Sequence, residues 1–355
     1  MRIYLLSTAV APLGSGLGGG VEHMVVTAAR QLQTLGHSAL LIAPTGSIAD
    51  VPNLITVPGR LAPTAVTYGR DLPLPIEADA FLVAALRWLA ARIQPDDVIL
   101  NFSYDWLPLF LSDYLPCPLA TLVSMGPLNR SMNLEIRRCA TRRPERIAFL
   151  SAAQAASFDM SDPIRLIPPG LELAHYPYNA HPGHSIGWSG RIAPEKGLED
   201  VFALSARTGI AVTVLGVVQQ QSYWDRLVKA YPNAAVRYGG FLTGLALAAA
   251  VRDFRALLMT PKWLEAFGIV GVEALACGTP VIAYQRGGVS EYVRDGETGW
   301  LAPPDDLNRL CAAVEQIDAI DRAQCRALVE DRYTVAHYGA ALADWLRALT
   351  TRANA

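Results

Sequence analysis

The chain has 355 residues, of which 52% are hydrophobic and 17% charged, and its formal net charge is −2. This composition excludes a disordered chain, and the length predicts two domains that each bury a substantial core. The small net charge gives no reason to expect a nucleic-acid partner. Five scattered cysteines without a C-x-x-C pair indicate reduced thiols in a cytoplasmic protein.

The first half of the chain alternates predicted strands and helices, beginning with a βαβ unit. The predicted elements in chain order are strand 3–10, helix 22–35, strands 38–43 and 55–57, helix 78–93, strands 97–102 and 118–123, helix 135–142, and strands 146–151 and 164–167. A glycine-rich loop over 14–20 precedes the first helix, and the segment 44–75 is predicted to be mainly loop because it is rich in proline and glycine.

A second alternating array follows a linker that we predict over 168–183, where four prolines interrupt any periodicity. Its predicted elements are strand 185–189, helix 197–208, strand 211–216, helix 223–231, strand 235–238, helix 244–254, strand 256–260, a helix from Gly268, strand 281–284, and helices near 305–317, 321–330 and 335–350. We therefore expect an α/β protein with two parallel-sheet domains facing a cleft, over 1–170 and 171–334.

The most informative segment carries two glutamates, Glu265 and Glu273, on either side of a predicted helix start. Gly268 lets a ligand approach the backbone, and the first N–H groups of a helix favour a phosphate. Two acceptors around an anion site suit a nucleotide sugar, which has hydroxyls at both ends. Solvated helix glutamates are the simpler interpretation, but the apolar surroundings of Glu273 require partners for its carboxylate.

A second candidate is the turn from Gly190 to Gly197, which follows the first predicted strand of the second array. Arg191 and Lys196 on this turn offer a forked donor and a point charge, a combination that can hold a diphosphate. Taken alone, a surface arginine and lysine near a turn would be the better interpretation. The expected proximity of Glu265 at the same sheet edge favours a site.

The glycines of the loop over 14–20 match the G-x-G-x-x-G dinucleotide pattern in form. The next strand ends at Leu41-Ile-Ala-Pro44 without the acid that this pattern requires about 20 residues further on. We interpret the loop as a glycine turn whose amides approach phosphate or acceptor, and a mobile surface loop is an equal alternative. An NAD-dependent enzyme is a rival hypothesis that predicts nicotinamide binding without UDP binding.

Together these motifs resemble the retaining two-domain GT-B glycosyltransferases of family GT4, over nearly the whole chain. The resemblance is carried by five segments, which are Gly18-Gly-Gly-Val-Glu22, Pro169-Gly-Leu-Glu172, Gly190-Arg191 with Lys196-Gly197, Glu265-Ala-Phe-Gly with Glu273-Ala, and Gly278-Thr-Pro-Val with Gly287-Gly, Glu291 and Gly296-Glu-Thr-Gly299. The family fold has two Rossmann-like domains, and its C-terminal helix, here about 335–350, crosses back onto the first.

The resemblance also implies roles for individual residues. Arg191 and Lys196 would hold the donor diphosphate, and Glu265 would contact the transferred sugar. The amides of Phe267 and Gly268 would lie near the sugar and phosphate. Glu273 would bind the ribose hydroxyls. Gly19 and Gly20 belong to the glycine loop that we also assign to donor binding. No resident cofactor and no metal are expected, because the donor is a substrate and the sequence has no Asp-x-Asp.

The first half departs from the family pattern at one place. Family members often have a histidine just after the strand that corresponds to 118–123, and here Ser124 stands there. Serine cannot replace a histidine as acid or base near neutral pH, although the leaving diphosphate can accept the acceptor proton. Tyr104, Asp105 and Trp106 would suit a flat acceptor with a hydrogen-bonding edge, or the aromatics are core residues with even odds.

The segments over 14–22, 101–108 and 122–126 resemble the cyanobacterial UDP-glucose:tetrahydrobiopterin glucosyltransferases. That resemblance implies transfer of glucose from UDP-glucose to a small pteridine acceptor such as tetrahydrobiopterin. One alternative is a membrane-surface enzyme with a lipid or polysaccharide acceptor, which would use a basic cluster of Arg137, Arg138, Arg142 and Arg143. Another is a binding protein for nucleotide sugars without catalytic activity.

Overall fold

The computed structural model describes residues 1–16, 19–63, 71–72, 75–160 and 164–353, the last three of these without their side chains. Internal contacts divide the chain into a first unit, Met1–Gly170 with Val335–Ala355, and a second unit, Leu171–Thr334. Leu17 and Gly18 of the glycine loop and part of the predicted loop over 44–75 lie outside the described residues.

Each unit contains one parallel sheet of six strands. The strands are β1 (Arg2–Leu6), β2 (Ser38–Pro44), β3 (Leu54–Val57), β4 (Val98–Asn101), β5 (Leu119–Val123), β6 (Ile147–Phe149), β7 (Ile186–Ser189), β8 (Val212–Leu215), β9 (Val236–Tyr238), β10 (Leu257–Met259), β11 (Val281–Tyr284) and β12 (Gly299–Ala302). The α/β class and the parallel sheets expected from the alternating pattern are confirmed.

The helices of the described residues surround these sheets in chain order. They are α1 (Gly19–Thr34), α2 (Phe81–Ala90), α3 (Trp106–Leu111), α4 (Arg130–Arg142), α5 (Ala152–Ala156), α6 (Leu198–Thr208), α7 (Gln221–Ala230), α8 (Gly244–Arg252), α9 (Ile269–Ala276), α10 (Leu307–Gln316), α11 (Arg322–Arg332) and α12 (Val335–Ala353). Among the described residues, no helix is both long enough and apolar enough to cross a membrane.

The two sheets share one strand order. The first is β3-β2-β1-β4-β5-β6, and the second is β9-β8-β7-β10-β11-β12 when it is read from the opposite edge. In each sheet the direction of chain progress reverses beside the first strand, between β1 and β4 and between β7 and β10. Ligands of open α/β sheets bind at the carboxyl ends of the strands at such a reversal, so the topology indicates one candidate position in each unit.

The core strands are apolar on both faces because helices cover both sides of a parallel sheet. Every residue of β4, β5 and β11 is buried. The last helix, α12, belongs to the first unit and packs along α1. The Trp345 side chain is 0% exposed, and its indole N–H donates to the Glu145 carbonyl over 2.6 Å. Tyr338 is also buried against α1, where its hydroxyl reaches the Met24 carbonyl.

Some predicted elements were wrong in extent or kind. The first strand ends at Leu6 rather than at residue 10, and the predicted strand over 164–167 is only a single bridge between Leu166 and Phe149. The helices α3 and α5 and the strand β12 were not predicted. The start of α3 has a recognisable signal, since Asp105 caps it and a proline stands in its first turn.

Candidate functional site

The carboxyl ends of β7 and β10 carry two loops that meet at the reversal point of the second sheet. The turn after β7 reaches Gly197, whose φ is +66°, and a Cβ there would lie 1.9 Å from the Thr260 carbonyl oxygen. The Thr260 hydroxyl donates to the Gly197 carbonyl over 2.8 Å. Only glycine permits this approach, so the loop that carries Lys196 is fixed against the loop that carries Glu265.

A cation and a carboxylate are paired where these loops meet. The Lys196 ammonium donates to Oε2 of Glu265 over 2.6 Å, and the two side chains are 22% and 13% exposed. The indole N–H of Trp263 donates to the same oxygen over 3.0 Å. Trp263 was not singled out in the sequence, where nothing distinguishes it from a core aromatic residue.

Charge keeps Glu265 ionised despite its burial. Burial alone would raise the pKa of this carboxyl group, because it removes water from the charged form. The charge and the hydrogen bond of Lys196, the N–H of Trp263 and the charge of Arg191 outweigh that effect and lower the pKa. The site therefore holds a desolvated carboxylate beside two cations.

Arg191 lies on the turn after β7 and adds the second cation. Its guanidinium pairs with the Glu195 carboxylate at 3.0 Å and donates to the Gln219 side-chain oxygen. The guanidinium carbon is 5.9 Å from the centroid of the Trp263 ring. The structure thus brings Arg191, Lys196 and Glu265 together around Trp263.

Gly268 sets the start of α9 in a left-handed conformation with φ +81° and ψ +60°. A Cβ at this position would lie 2.8 Å from the Met259 side chain and 2.9 Å from the Tyr292 hydroxyl. That hydroxyl donates to the Gly268 carbonyl over 2.7 Å. The Phe267 ring is 3% exposed and packs against Tyr292, so its backbone is the part left for a ligand.

The loop after β11 also reaches Glu265, through its backbone. Gly287 has φ +86°, and a Cβ there would lie 2.1 Å from the Glu265 carbonyl oxygen. The Gly288 amide donates to that same carbonyl over 2.8 Å. This contact gives the Gly287-Gly288 motif a physical reason, because it holds the segment before α9 in place.

Glu273 lies on α9 and is half-buried. Its Oε1 accepts a hydrogen bond of 2.9 Å from the Tyr176 hydroxyl, which comes from the segment predicted as a linker. Burial and the Glu273 charge together raise the pKa of Tyr176 well above its usual range, so the tyrosine remains a donor. The need of this carboxylate for a partner was predicted from its apolar neighbours, whereas Tyr176 itself carried no signal in the sequence.

A second ionic cluster braces the loop after β10. Lys262 pairs with Asp200 and with Asp305, the latter at 2.7 Å, and Arg286 pairs with Asp305 at 2.6 Å. The Tyr284 hydroxyl donates to Asp200 over 2.7 Å. These contacts join the loops after β10 and β11 to α6 and to the segment before α10, and sequence reasoning missed them.

In the first unit, Asp105 caps α3 by accepting the Leu107 N–H over 2.9 Å. Burial raises the pKa of this carboxyl group to about 6, and the Leu107 hydrogen bond only partly offsets that rise. Tyr104 is held by a hydrogen bond of 2.9 Å from its hydroxyl to the Gly126 carbonyl, and burial raises its pKa to about 12. Asp105 therefore changes its charge nearer to neutral pH than an ordinary aspartate does.

Ser124 follows β5 directly and is 7% exposed. The loop that contains it is fixed by the buried Gln154, whose amide donates to the Val123 and Met125 carbonyls over 2.9 Å each. Trp106 begins α3, is half-buried against the core and makes an edge contact with Phe110 at 6.2 Å between ring centroids. Tyr104 and Trp106 both pack on the core in part, as the structural alternative anticipated.

Gly19 and Gly20 form the first turn of α1. Gly19 has φ +62°, and a Cβ there would meet no atom within 4 Å, so space for a ligand exists beside it. The Glu22 carboxylate accepts the Gly14 N–H and thereby ties the described start of the glycine loop to α1.

The basic cluster on α4 is largely paired with carboxylates. Arg138 bonds Glu135 at 2.6 Å and Asp113 at 2.9 Å, Arg142 bonds Asp113 at 3.2 Å, and Arg137 bonds Asp159. Arg143 is exposed at the end of the helix. Within the described ranges, no group of three or more His, Cys, Asp or Glu side chains could hold a metal ion.

Comparison with known proteins identifies the class to which this arrangement belongs. Residues 183–330 match the family model described as Glycosyl transferases group 1. A glycogen synthase of Mycobacterium tuberculosis is 26% identical, with 92% of this chain and 88% of that protein covered. A D-inositol 3-phosphate glycosyltransferase of Mycolicibacterium vanbaalenii is 28% identical, with 97% and 90% covered.

Solved structures show the same architecture. The crystal structure of Anabaena HepE in complex with UDP and glucose superposes with a TM-score of 0.78 at 19% identity, over 98% of this chain and 100% of that one. The two six-stranded parallel sheets and this neighbour establish the GT-B fold class. The chain is an enzyme, a glycosyltransferase, and the family model and relatives support its assignment to the GT4-like group 1 glycosyltransferases.

Proposed function

We propose that this glycosyltransferase moves a hexosyl group from a nucleotide sugar with retention of configuration, and that its donor is UDP-glucose. One observation carries the proposal: at the reversal point of the second sheet, Lys196 and Arg191 surround the ionised Glu265 through Trp263. Cations suit the departing diphosphate, and a carboxylate suits the hydroxyls of a sugar. Supported by the relatives, a nucleotide-sugar donor accounts for both.

In this proposal each side chain of the second unit has one task. Arg191 and Lys196 hold the diphosphate, together with the N–H groups at the start of α9 near Gly268. Glu265 contacts the transferred sugar, and Glu273, oriented by Tyr176, binds the ribose hydroxyls. Much of the catalytic effect comes from positioning and from stabilising charge on the leaving diphosphate.

For the acceptor we propose a small alcohol of the pterin type. Asp105 offers a carboxylate to an N–H edge, and Tyr104, Trp106 and Ser124 supply ring faces and a hydroxyl in the same region of the first unit. Because Ser124 cannot act as a base near neutral pH, the leaving diphosphate would accept the acceptor proton. The names of the relatives suggest glycogen or an inositol phosphate as the competing acceptor classes.

A membrane-bound acceptor has weaker support. Three of the four arginines that would contact anionic lipid are already paired with carboxylates, which reduces the charge that they present. Flotation of the purified protein with anionic and with neutral vesicles separates the two acceptor classes. Recovery with anionic vesicles alone would favour the membrane alternative, and the cytoplasmic location stays a prediction.

A thermal-shift panel with UDP, GDP, ADP and NAD tests the donor. A ligand at about 100 times its dissociation constant stabilises the native state by about 2.7 kcal/mol, which raises the melting temperature measurably. We expect UDP to give the largest shift and NAD none. Stabilisation by NAD alone would overturn the proposal, and release of glucose or a glycoside from UDP-glucose would then establish the transferred sugar.

A further inference from the structure

Trp263 contacts all three charged side chains of the proposed donor site. It lies in the loop after β10, is half-buried and shares its surroundings with residues of the loop after β7. The Lys196 ammonium is 4.7 Å from the centroid of its ring, and the Arg191 guanidinium carbon is 5.9 Å away. One indole side chain therefore touches the two cations with its face and the carboxylate of Glu265 with its N–H.

The two oxygens of Glu265 have different surroundings. Both hydrogen bonds to this carboxylate, from Lys196 and from Trp263, go to Oε2. No donor among the described residues bonds Oε1. The arrangement leaves one oxygen for a ligand hydroxyl while the other is held by the protein.

Binding of an anion changes the balance at Oε2. A diphosphate carries more charge than a carboxylate and competes for the Lys196 ammonium. The Trp263 N–H is neutral, so a diphosphate at the site does not compete for it through charge in the same way. It remains a donor to Oε2 when Lys196 turns to the ligand, and the aromatic face continues to hold both cations near their position.

We propose that Trp263 is a positioning residue for sugar transfer, which orients Glu265 through its indole N–H and guides Lys196 and Arg191 through its ring. This inference rests on the proposed function, because it assigns Trp263 a part in that same donor site. It predicts that the N–H affects turnover, whereas the ring affects donor affinity.

Two substitutions separate these effects. Trp263→Phe keeps a ring and removes the N–H, so we expect the Kd for UDP to stay within about threefold of the wild type. The kcat for hydrolysis of UDP-glucose should fall about tenfold, since a hydrogen bond to a charged group is lost. Trp263→Ala also removes the ring and should weaken UDP binding about fivefold further. Calorimetry measures Kd, and UDP release measures kcat.

A double variant tests whether Trp263 acts through Glu265. In a Glu265→Gln background, Trp263→Phe should change the remaining kcat by less than twofold, because the group that it orients is already altered. A full tenfold loss in that background would overturn the proposal. The matched control is Trp224→Phe, which removes an indole N–H elsewhere in the second unit, where the ring packs on Phe202. It should leave both constants unchanged.

The results distinguish this inference from the proposed function. A wild type that binds UDP and hydrolyses UDP-glucose, together with a Trp263→Phe variant of equal kcat, would overturn the role of Trp263 alone. A wild type that neither binds UDP nor releases it from UDP-glucose would overturn the donor assignment, and the role of Trp263 with it.

Discussion

The two sheets have the same strand order, yet their carboxyl edges carry different chemistry. In the second unit the loops after β7, β10 and β11 are joined by ion pairs, of which Lys196 with Glu265 is the most buried partner set around the reversal point. In the first unit the corresponding edge carries neutral hydrogen-bonding groups and one carboxylate, Asp105, whose bond in the structure is to a backbone N–H. One topology therefore supports two kinds of site, because topology fixes where a ligand can bind and side chains decide which ligand it is.

This contrast has a physical basis in the costs of burial. A half-buried carboxylate stays ionised only where cations or several donors surround it. Glu265 has such cations, and its pKa is lowered, whereas Asp105 lacks them, and its pKa is raised to about 6. The second edge is suited to an anionic ligand, and the first to a neutral one.

The largest expected effect comes from removing charge at the second edge. Lys196→Ala should lower turnover of UDP-glucose about 100-fold, and Arg191→Ala at least tenfold, because both stabilise the charge of the leaving diphosphate. Steady-state kinetics with a melting curve for each variant measures this effect and shows that the protein stays folded. Lys229→Ala, an exposed lysine on α7, is the control. Unchanged turnover in Lys196→Ala or Arg191→Ala would remove the assigned role.

The backbone at the second edge gives the next effect. Gly268→Ala places a Cβ within 3 Å of two side chains at φ +81°, so we expect a loss of about 2–4 kcal/mol in the free energy of unfolding. The control, Gly209→Ala, has φ +72° but no atom within 4 Å, and it should lose only about 1–2 kcal/mol. Urea denaturation measures both. Equal losses would show that close packing at Gly268 contributes nothing.

The first edge should respond to pH in a way that the second does not. The stability that Asp105 contributes is present below its pKa in the unfolded chain, about 3.9, and is lost as the pH rises through its folded value of about 6. Asp105→Asn stays neutral and can still cap α3. It should exceed the wild type in stability by about 1–3 kcal/mol above pH 6 and match it below pH 4. Melting temperatures across pH 3–8 test this, and a difference independent of pH would contradict it.

The smallest expected effect concerns Ser124. Ser124→Ala removes one neutral hydrogen bond to the proposed acceptor, so the acceptor KM should rise about two- to tenfold. Hydrolysis of UDP-glucose without acceptor should not change, because the substitution lies in the first unit. Ser131→Ala, at an exposed position on α4, serves as the comparison. A fall in donor hydrolysis would place Ser124 in the donor chemistry instead.

Part of this molecule is predictable from sequence for a simple reason. Strand β11 was predicted with its exact bounds, and β2 and α9 nearly so, because local apolar runs and glycines mark their ends. The helix α3 was missed because its aromatic residues also suit a strand end, and β12 was missed because it is a short half-exposed segment.

The amino-acid sequence by itself determined the order of strands and helices and the chemical types at Arg191, Lys196, Glu265 and Glu273. Both follow from local periodicity and from residue identity, which the chain carries along its length. Only the tertiary structure decided the partners. The bonds of Trp263 to Glu265 and of Tyr176 to Glu273 join segments whose meeting depends on strand order and loop packing. The pKa values followed as well, since they depend on what lies nearby in space rather than in sequence.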